Sequence, residues 1–200
     1  SLFLRAYYFI VNFPNLFRRN LPIYVVFVFI VYILFCLEVE VFATVNSLVL
    51  NGIEAIPVQV EVDVQNGLPM FELVGLPSTS VREAKERVRS AIKNTGMEFP
   101  LRRITVNLAP ADVRKEGSHF DLAIALGILI ASEQVQVNRS ETAYWAGELS
   151  LDGGLRPVPG ILPMALELVK YPQPVFFIVP ADNSQEAGLV SEITSLSASS

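Results

Sequence analysis

The feature that most constrains this chain is an uncharged run of seventeen residues, LPIYVVFVFIVYILFCL, from Leu21 to Leu37. Two arginines precede the run and two glutamates follow it. A helix of this length would span roughly 25 Å, which is within the range that membrane-spanning segments tolerate. Residues 1–37 also contain no Asp or Glu and hold 11 of the 20 aromatic residues in the chain. An apolar first segment, residues 1–40, therefore differs sharply in composition from the rest of the chain.

Three interpretations of residues 1–40 stay open. The first is a membrane anchor, for which the preceding arginines would keep the N-terminus in the cytoplasm and place the rest of the chain on the other side. The second is a buried core helix. The third is translated upstream sequence that is not part of the working protein, because the globular pattern begins abruptly at Val41 and valine codons include GTG, an alternative bacterial start. A cleavable signal peptide is disfavoured, because no A-x-A-like pair of small residues follows the run.

Composition excludes several functional classes for the chain. One Cys and one His cannot build a disulfide framework or a zinc site of the usual Cys and His ligands. The net formal charge of −5 argues against a protein that coats nucleic acid, because such binding depends on neutralisation of phosphates by Lys and Arg. No G-x-x-x-x-G-K-[ST] motif occurs, so a phosphate-binding loop of that kind is excluded as well. A local basic patch is still compatible with these counts.

After Val41, strand and helix patterns alternate without a repeat, which predicts an α+β or α/β domain. Turn signals at Asn51-Gly52 and Asn66-Gly67 predict that the first three strands form a meander. The Ser-rich residues 191–200 are expected to be a trailing tail. The predicted strands are Phe42–Leu50, Pro57–Val64, Pro69–Val74, Arg103–Leu108, Tyr144–Leu151 and Val175–Val179, and the predicted helices are Ser80–Thr95 (opening on a capping box), Phe120–Ser132, Ile161–Val169 and Ala181–Ala187.

The predicted helix from Ser80 carries a strip of four basic residues beside its apolar stripe. The strip covers an arc of roughly 80° at 100° per residue, and it consists of Arg82, Lys85, Arg89 and Lys93. It is either a solvated face or a surface that follows phosphates or faces a neighbouring subunit.

A charged stretch after the strand Arg103–Leu108 is the second candidate region. It contains Asp112, Arg114, Lys115, Glu116 and Asp121, and its mixed signs predict an ion-pair network around a loop. Ser118 and His119 lie within it, but neighbours on one loop need not face each other as a nucleophile and its base must. A lone histidine in such a loop is more often structural.

Residues 42–190 resemble the N-terminal domain of the ComM/YifB family, the magnesium chelatase-like AAA+ ATPases. The segments FELVGLPSTSVREAKERV, RITVNLAPADVRKEGSHFDL, YWAGELSLDGGLRPVPG and FIVPADNSQEA carry the resemblance in one ordered series. The resemblance implies an α+β, two-layer fold of the ribosomal S5 domain 2-like type, which the Lon protease catalytic domain shares. In that family an AAA+ module and a chelatase-like domain follow, so we expect the AAA+ module to be absent from residues 1–200.

The same resemblance allows a comparison with Lon-type peptidases, which use a Ser and Lys pair. Their Ser follows a K-[DE]-G-P sequence, and their Lys follows the Gly-Leu that opens the next helix. Here the sequence from Lys115 places His119 at the position of the Ser, and the sequence from Gly160 places Leu162 at the position of the Lys. Because leucine cannot act as a base, Ser118 has no evident activator. The resemblance therefore implies a peptidase-like scaffold without catalytic residues.

For function, the family implies a cytoplasmic, homo-oligomeric, hexameric ring that acts on DNA as an ATP-dependent branch-migration helicase in natural transformation. This chain would be its non-catalytic accessory domain, with no cofactor of its own, since ATP and Mg belong to the AAA+ module. The alternative is a membrane-anchored Lon-like peptidase-related or regulatory domain, held through residues 21–37. The candidates for contacts with DNA are Arg82, Lys85, Arg89, Lys93, Arg102, Arg103, Arg114 and Lys115.

Overall fold

A computed structural model describes residues 41–137, 142–172 and 174–199. The interpretations of residues 1–40, including the membrane segment at 21–37, lie outside the described residues. The described residues belong to one compact unit. Among them, no helix combines the length and the apolar character that crossing a membrane requires.

The described residues form strands and helices in a mixed α/β arrangement, as the alternating sequence pattern predicted. The strands are β1 (Val41–Asn51), β2 (Glu54–Gln65), β3 (Met70–Val74), β4 (Arg103–Ala109), β5 (Thr142–Trp145), β6 (Glu148–Leu149), β7 (Leu155–Arg156), β8 (Val175–Pro180) and β9 (Thr194–Ala198). The helices are α1 (Thr79–Asn94), α2 (Asp121–Ala131), α3 (Ile161–Leu168) and α4 (Ser184–Ala187), with a 3-10 turn at Ala181–Asn183.

Seven of the strands form one sheet in the order β3-β4-β2-β1-β5-β8-β9, and β6 pairs with β7 in a separate hairpin. β2 is antiparallel to both β1 and β4, whereas the other neighbouring pairs in the large sheet are parallel. The predicted meander is therefore wrong, because β4 lies between β2 and β3. The connection from β3 to β4 runs through α1, and such a crossover pairs its two strands in parallel.

Helices cover the two faces of the sheet at different places. Alternate residues of β1 divide between two apolar clusters, since Val45 and Val49 belong to one and Leu48 belongs to the other. Helices α1 and α2 pack in the first cluster, and α3 and α4 pack in the second. The apolar stripe of α1 is buried as its spacing predicted, and its members are Val81, Ala84, Val88, Ala91 and Ile92.

Three local predictions differ from the structure. The predicted strand Tyr144–Leu151 is two strands, because the chain leaves the large sheet at Ala146 and Gly147 and continues as β6. At Gly147 a Cβ would lie 3.2 Å from a Leu155 methyl and 3.3 Å from the Pro180 ring, so close packing there favours glycine. The N-cap of helix α1 lies two residues earlier than predicted, because the side chain of Ser78, not Ser80, caps the helix by accepting from Val81 N.

The predicted tail 191–200 contains strand β9, which pairs in parallel with β8 along its whole length. Its residues, TSLSA, are mostly small and polar, so the sequence lacks the alternation that marks a half-buried strand. The strand conformation of these residues is stabilised by pairing with the buried strand β8, which local composition does not reveal.

Candidate functional site

The loop between β4 and α2 holds the Lon-like motif, and four backbone contacts fix it. Lys115 exchanges backbone hydrogen bonds with the turn before α1: Ser78 N donates to Lys115 O at 2.9 Å, and Lys115 N donates to Leu76 O at 3.2 Å. Gly117 N donates to the Ser80 hydroxyl at 3.3 Å. On the other side, Gly147 N donates to His119 O at 2.9 Å. These contacts join the motif to the turn before α1 and to the residues after β5, with Lys115 and His119 buried at its two ends.

His119, at the position of the peptidase nucleophile, is buried, with 5% of its surface exposed. Its ring lies 4.2 Å from the Phe120 ring, centroid to centroid. Burial lowers the pKa of His119 to about 4, although the backbone of Leu48 acts in the opposite direction. Its Nε2 has no hydrogen-bond partner among the described residues. Burial therefore leaves this ring little access to a bound peptide.

Leu162, at the position of the peptidase lysine, is the second residue of α3 and is half-buried against the second apolar cluster. Its backbone N–H donates to Glu186 Oε1 at 2.8 Å. A carboxylate therefore occupies the start of this helix, where its negative charge is favourable. Neither residue of the peptidase pair has a functional equivalent at these two positions.

Lys115 is fully buried, and its ammonium donates to the carbonyl oxygen of Pro110. Burial lowers the pKa of Lys115, while the charge of Asp112 acts in the opposite direction. Because the side chain has no solvent exposure, it cannot reach the phosphates of a nucleic acid. Of the eight candidates for DNA contacts, Lys115 is therefore better explained as a residue that stabilises its own loop.

Asp121, the first residue of α2, is fully buried and pairs with Arg87 of α1. Leu149 N of β6 also donates to Asp121 Oδ2 at 3.2 Å. Burial raises the pKa of Asp121, while the hydrogen bonds and charge of Arg87 oppose this effect. The pair joins α1, α2 and β6, and no sequence pattern identified Arg87 as the partner.

The predicted ion-pair network around the loop is only partly formed. Arg114 Nε lies 2.8 Å from Glu116 Oε1, but both side chains are more than half exposed. The partner of Asp121 is on α1, outside the loop. Exposed pairs of this kind contribute little to stability, so the buried contacts hold the loop.

The basic strip of α1 lies on the flank of the helix that covers β3. Lys85 Nζ is 5.9 Å from the centre of the Phe71 ring, and Arg89 Cζ is 5.1 Å from that of Phe99. Both side chains are half-buried, in keeping with such cation–π contacts. Arg82 and Lys93, at the two ends of the strip, are exposed.

The remaining basic candidates lie on other elements than α1. Arg102 is exposed just before β4, and Arg103 lies 3.7 Å from Glu72 of β3. Arg114 is in the loop with its own carboxylate partner. For metals, the described ranges contain no group of three or more His, Cys, Asp or Glu that could hold an ion.

Fold and site together define a class: a mixed α/β domain with the motif loop of a Lon-type peptidase but with histidine and leucine at the positions of the catalytic pair. The family model described as "Subunit ChlI of Mg-chelatase" matches residues 60–183 of the chain. The chain belongs to this family.

Similar proteins place the chain next to longer members of the family. It is 47% identical over 150 residues to the uncharacterized protein YifB of Salmonella typhimurium and 46% identical over 150 residues to the competence protein ComM of Haemophilus influenzae. Each match covers 75% of this chain and 29% of the relative. The chain thus spans less than a third of the length of these relatives.

The similarity to Lon is also found directly. Lon protease 2 of Bacillus subtilis is 26% identical over 125 residues, which cover 60% of this chain and 22% of that protein. This weak similarity agrees with the fold class and with the motif loop at Lys115 to His119.

Proposed function

We propose that this chain is a non-catalytic accessory domain of a magnesium chelatase-like AAA+ ATPase of the ComM type, which acts on DNA as an ATP-dependent branch-migration helicase. The observation that carries the non-catalytic part is His119. It occupies the position of the peptidase nucleophile but is 5% exposed and packs against the Phe120 ring. Leu162, at the position of the lysine, adds no base.

The contribution to DNA binding is assigned to the flank of α1. Arg82 and Lys93 are exposed there, and Lys85 and Arg89 are oriented by aromatic rings beneath them. Four cations along one helix can follow a phosphate backbone without reading its sequence. Since the chain as a whole is acidic, this contact would be local and would depend strongly on salt.

The ATP and Mg of the proposed activity would bind outside this chain, in an AAA+ module of the longer protein. The proposed assembly is a homo-oligomeric ring, with a hexamer as the expected number, in the cytoplasm where ATP and DNA are present. The similarity to ComM of H. influenzae supports this proposal.

DNA binding by the full chain tests the basic flank. The double variant Arg82→Glu, Lys93→Glu should lose affinity for duplex DNA and should reduce the slope of log affinity against log salt by about 2, one for each lost phosphate contact. The matched control is Arg156→Glu on β7. Arg156 is exposed as well, but it lies outside the flank of α1 and pairs with a carboxylate. An equal loss in the control, or no loss in the double variant, would contradict the assignment of this flank.

A peptidase assay tests the non-catalytic part separately. The full chain and its Ser118→Ala variant are incubated with an unfolded protein substrate, and we expect no cleavage by either. Cleavage that disappears in Ser118→Ala would overturn the non-catalytic proposal and would favour a Lon-like peptidase instead.

A further inference from the structure

The strands β3 and β9 are the two ends of the seven-stranded sheet. Among the described residues, each pairs on one side only, β3 with β4 and β9 with β8. Each is five residues long, Met70–Val74 and Thr194–Ala198. An edge strand presents unpaired backbone groups on its outer side, so both ends of the sheet can accept a further strand.

Both edge strands also present aliphatic side chains to solvent. Met70 and Val74 of β3 are 46% and 44% exposed, and Leu196 of β9 is 47% exposed. Natural proteins usually protect an edge by placing charged residues or proline on it, or by covering it. The outer edges here hold a single charged side chain, Glu72, which lies 3.7 Å from Arg103 on the neighbouring strand. The composition of both edge strands therefore favours pairing with a further strand.

The surroundings of the two edges differ in charge. Beside β3 lies the basic strip of α1, in which Lys85 contacts the ring of Phe71 on β3 itself. Beside β9 lie the 3-10 turn and α4, which pack against it. Residues 171–200 contain no Lys or Arg, and their acidic residues are Asp182, Glu186 and Glu192. The flank of α1 beside β3 is therefore mainly basic, although Glu72, Glu83 and Glu86 lie near it, and the surroundings of β9 are acidic.

We propose that β3 of one copy pairs with β9 of a second copy, so that the sheet continues from chain to chain with the basic flank of α1 against the acidic residues 182–192. This inference rests on the self-assembly in the proposed function and names its surfaces. The two surfaces are different parts of the same chain, so the contact is heterologous and produces a ring or an open row of copies.

A second copy fits these observations better than another occupant. An acidic peptide from a different protein would use the β3 edge but would leave the β9 edge without a role. A nucleic acid would use the basic flank of α1 but would leave both edge strands without a role, so contact with DNA and contact with a second copy are alternative uses of this flank. A second copy uses both edges, matches their equal lengths, and pairs opposite charges at the same time.

The experiment exchanges the charges of the two surfaces in the full chain. The first variant is Arg82→Glu, Lys93→Glu, and the second is Asp182→Lys, Glu192→Lys; all four side chains are exposed. Sedimentation velocity over a range of concentrations should show association of the unmodified chain. In each variant alone like charges meet, so the dissociation constant should rise by about tenfold or more.

The decisive sample is the equimolar mixture of the two variants, in which every reversed surface again meets an opposite charge. The mixture should associate as the unmodified chain does. Residues 1–40 are common to all samples, so association through them would persist in each variant alone. Hydrogen exchange supplies an independent readout: amides of Met70–Val74 and Thr194–Ala198 should become protected on association.

The possible results distinguish the pairing of β3 with β9 from the proposed role of α1 on DNA. An unmodified chain that stays monomeric at all concentrations, a mixture that does not recover association, or association without protection of the β3 and β9 amides would overturn the pairing of these edges. If association persists in both variants, self-assembly stands but uses another surface. A loss of DNA affinity in the first variant, with unchanged association, supports only the proposed role on DNA.

Discussion

Arg87 and Asp121 form a two-point ion pair between α1 and the first residue of α2: Arg87 Nε lies 2.6 Å from Asp121 Oδ2, and Nη2 lies 3.0 Å from Oδ1. Arg87 Nη2 also donates to the carbonyl of Ser80 at 3.4 Å. The carboxylate is fully buried and the guanidinium is 21% exposed. The pair therefore holds together the two helices that cover one face of the sheet, directly beside the motif loop.

Removal of one partner should be costly. We expect Arg87→Ala to lower the free energy of unfolding by about 3–5 kcal/mol, because it leaves a buried carboxylate without its counter-charge. Urea-induced unfolding at neutral pH measures the change. The matched control is Arg114→Ala, whose exposed pair with Glu116 should contribute less than about 1 kcal/mol. Equal effects of the two substitutions would contradict the importance of the buried pair.

The sequence predicted the local structure of this region but not its long-range contacts. The spacing of Val81, Ala84 and Val88 identified the buried side of α1, because helical periodicity is a property of neighbouring residues. The ion pair joins residues 34 positions apart, and no local pattern distinguishes Arg87 from the other basic residues of the helix. The same limit explains why Lys115 was counted among surface cations although tertiary packing buries it.

The order of the strands in the sheet also could not be predicted from local sequence patterns. The turn at Asn66-Gly67 predicted that β3 would lie beside β2, but β4 occupies that place. The parallel pairing of β3 with β4 depends on how α1 packs on the sheet, which involves residues far apart in the chain. For the site, the motif resemblance placed His119 and Leu162, while only the structure showed that His119 is buried.

The stability of the domain should fall as the pH decreases from about 6.5 towards 4. His119 is the only histidine of the chain, and burial lowers its pKa from 6.5 to about 4. In that interval the unfolded state binds a proton that the folded state does not, so the free energy of unfolding decreases with falling pH by up to about 1.4 kcal/mol per unit. Above pH 7 this contribution is fully present.

Urea unfolding at pH 5.0 to 7.5 measures this dependence above the range in which most carboxylates titrate. The control is His119→Leu, in which the decrease between pH 6.5 and 5 should disappear whatever its effect on stability at neutral pH. A decrease that persists unchanged in His119→Leu would assign the dependence to other groups.

Gly75 should not tolerate a side chain. It has a φ of 91°, and a Cβ would overlap the backbone carbonyl of Leu108 on β4. We expect Gly75→Ala to destabilise the domain by about 3 kcal/mol or more, since backbone strain and a steric clash both act. The matched control is Gly52→Ala in the β1–β2 turn, where φ is 67° but no atom lies within 4 Å of the added Cβ. Backbone strain alone should cost about 1–2 kcal/mol there.

Thermal or urea unfolding compares the two glycine variants in the same background. If Gly75→Ala fails to fold while Gly52→Ala folds and unfolds cooperatively, the predicted ranking of the two variants is met. Similar stabilities of Gly52→Ala and Gly75→Ala would show that the close approach of the turn to β4 does not occur.

Asn183 should be the polar residue on which the second apolar cluster depends most. It is 6% exposed, its Oδ1 accepts from Val158 N at 2.9 Å, and its Nδ2 donates to Val158 O at 3.0 Å. Val158 is itself 3% exposed, so Asn183→Ala leaves two buried backbone groups without partners. Since each unsatisfied buried group costs roughly 1–3 kcal/mol, we expect a loss of about 2–4 kcal/mol in urea unfolding.

A second asparagine offers a matched control for this substitution. Asn94 also bonds a backbone carbonyl, that of Leu151 at 2.7 Å, but it is exposed, so water replaces the lost bond in Asn94→Ala. That variant should lose about 1 kcal/mol or less. Because Val158 lies just before the turn that opens α3, Asn183→Ala should also increase hydrogen exchange at residues 158–162, whereas Asn94→Ala should leave these amides protected. Equal losses of stability with unchanged exchange at these amides would mean that the Asn183 contacts do not hold this turn.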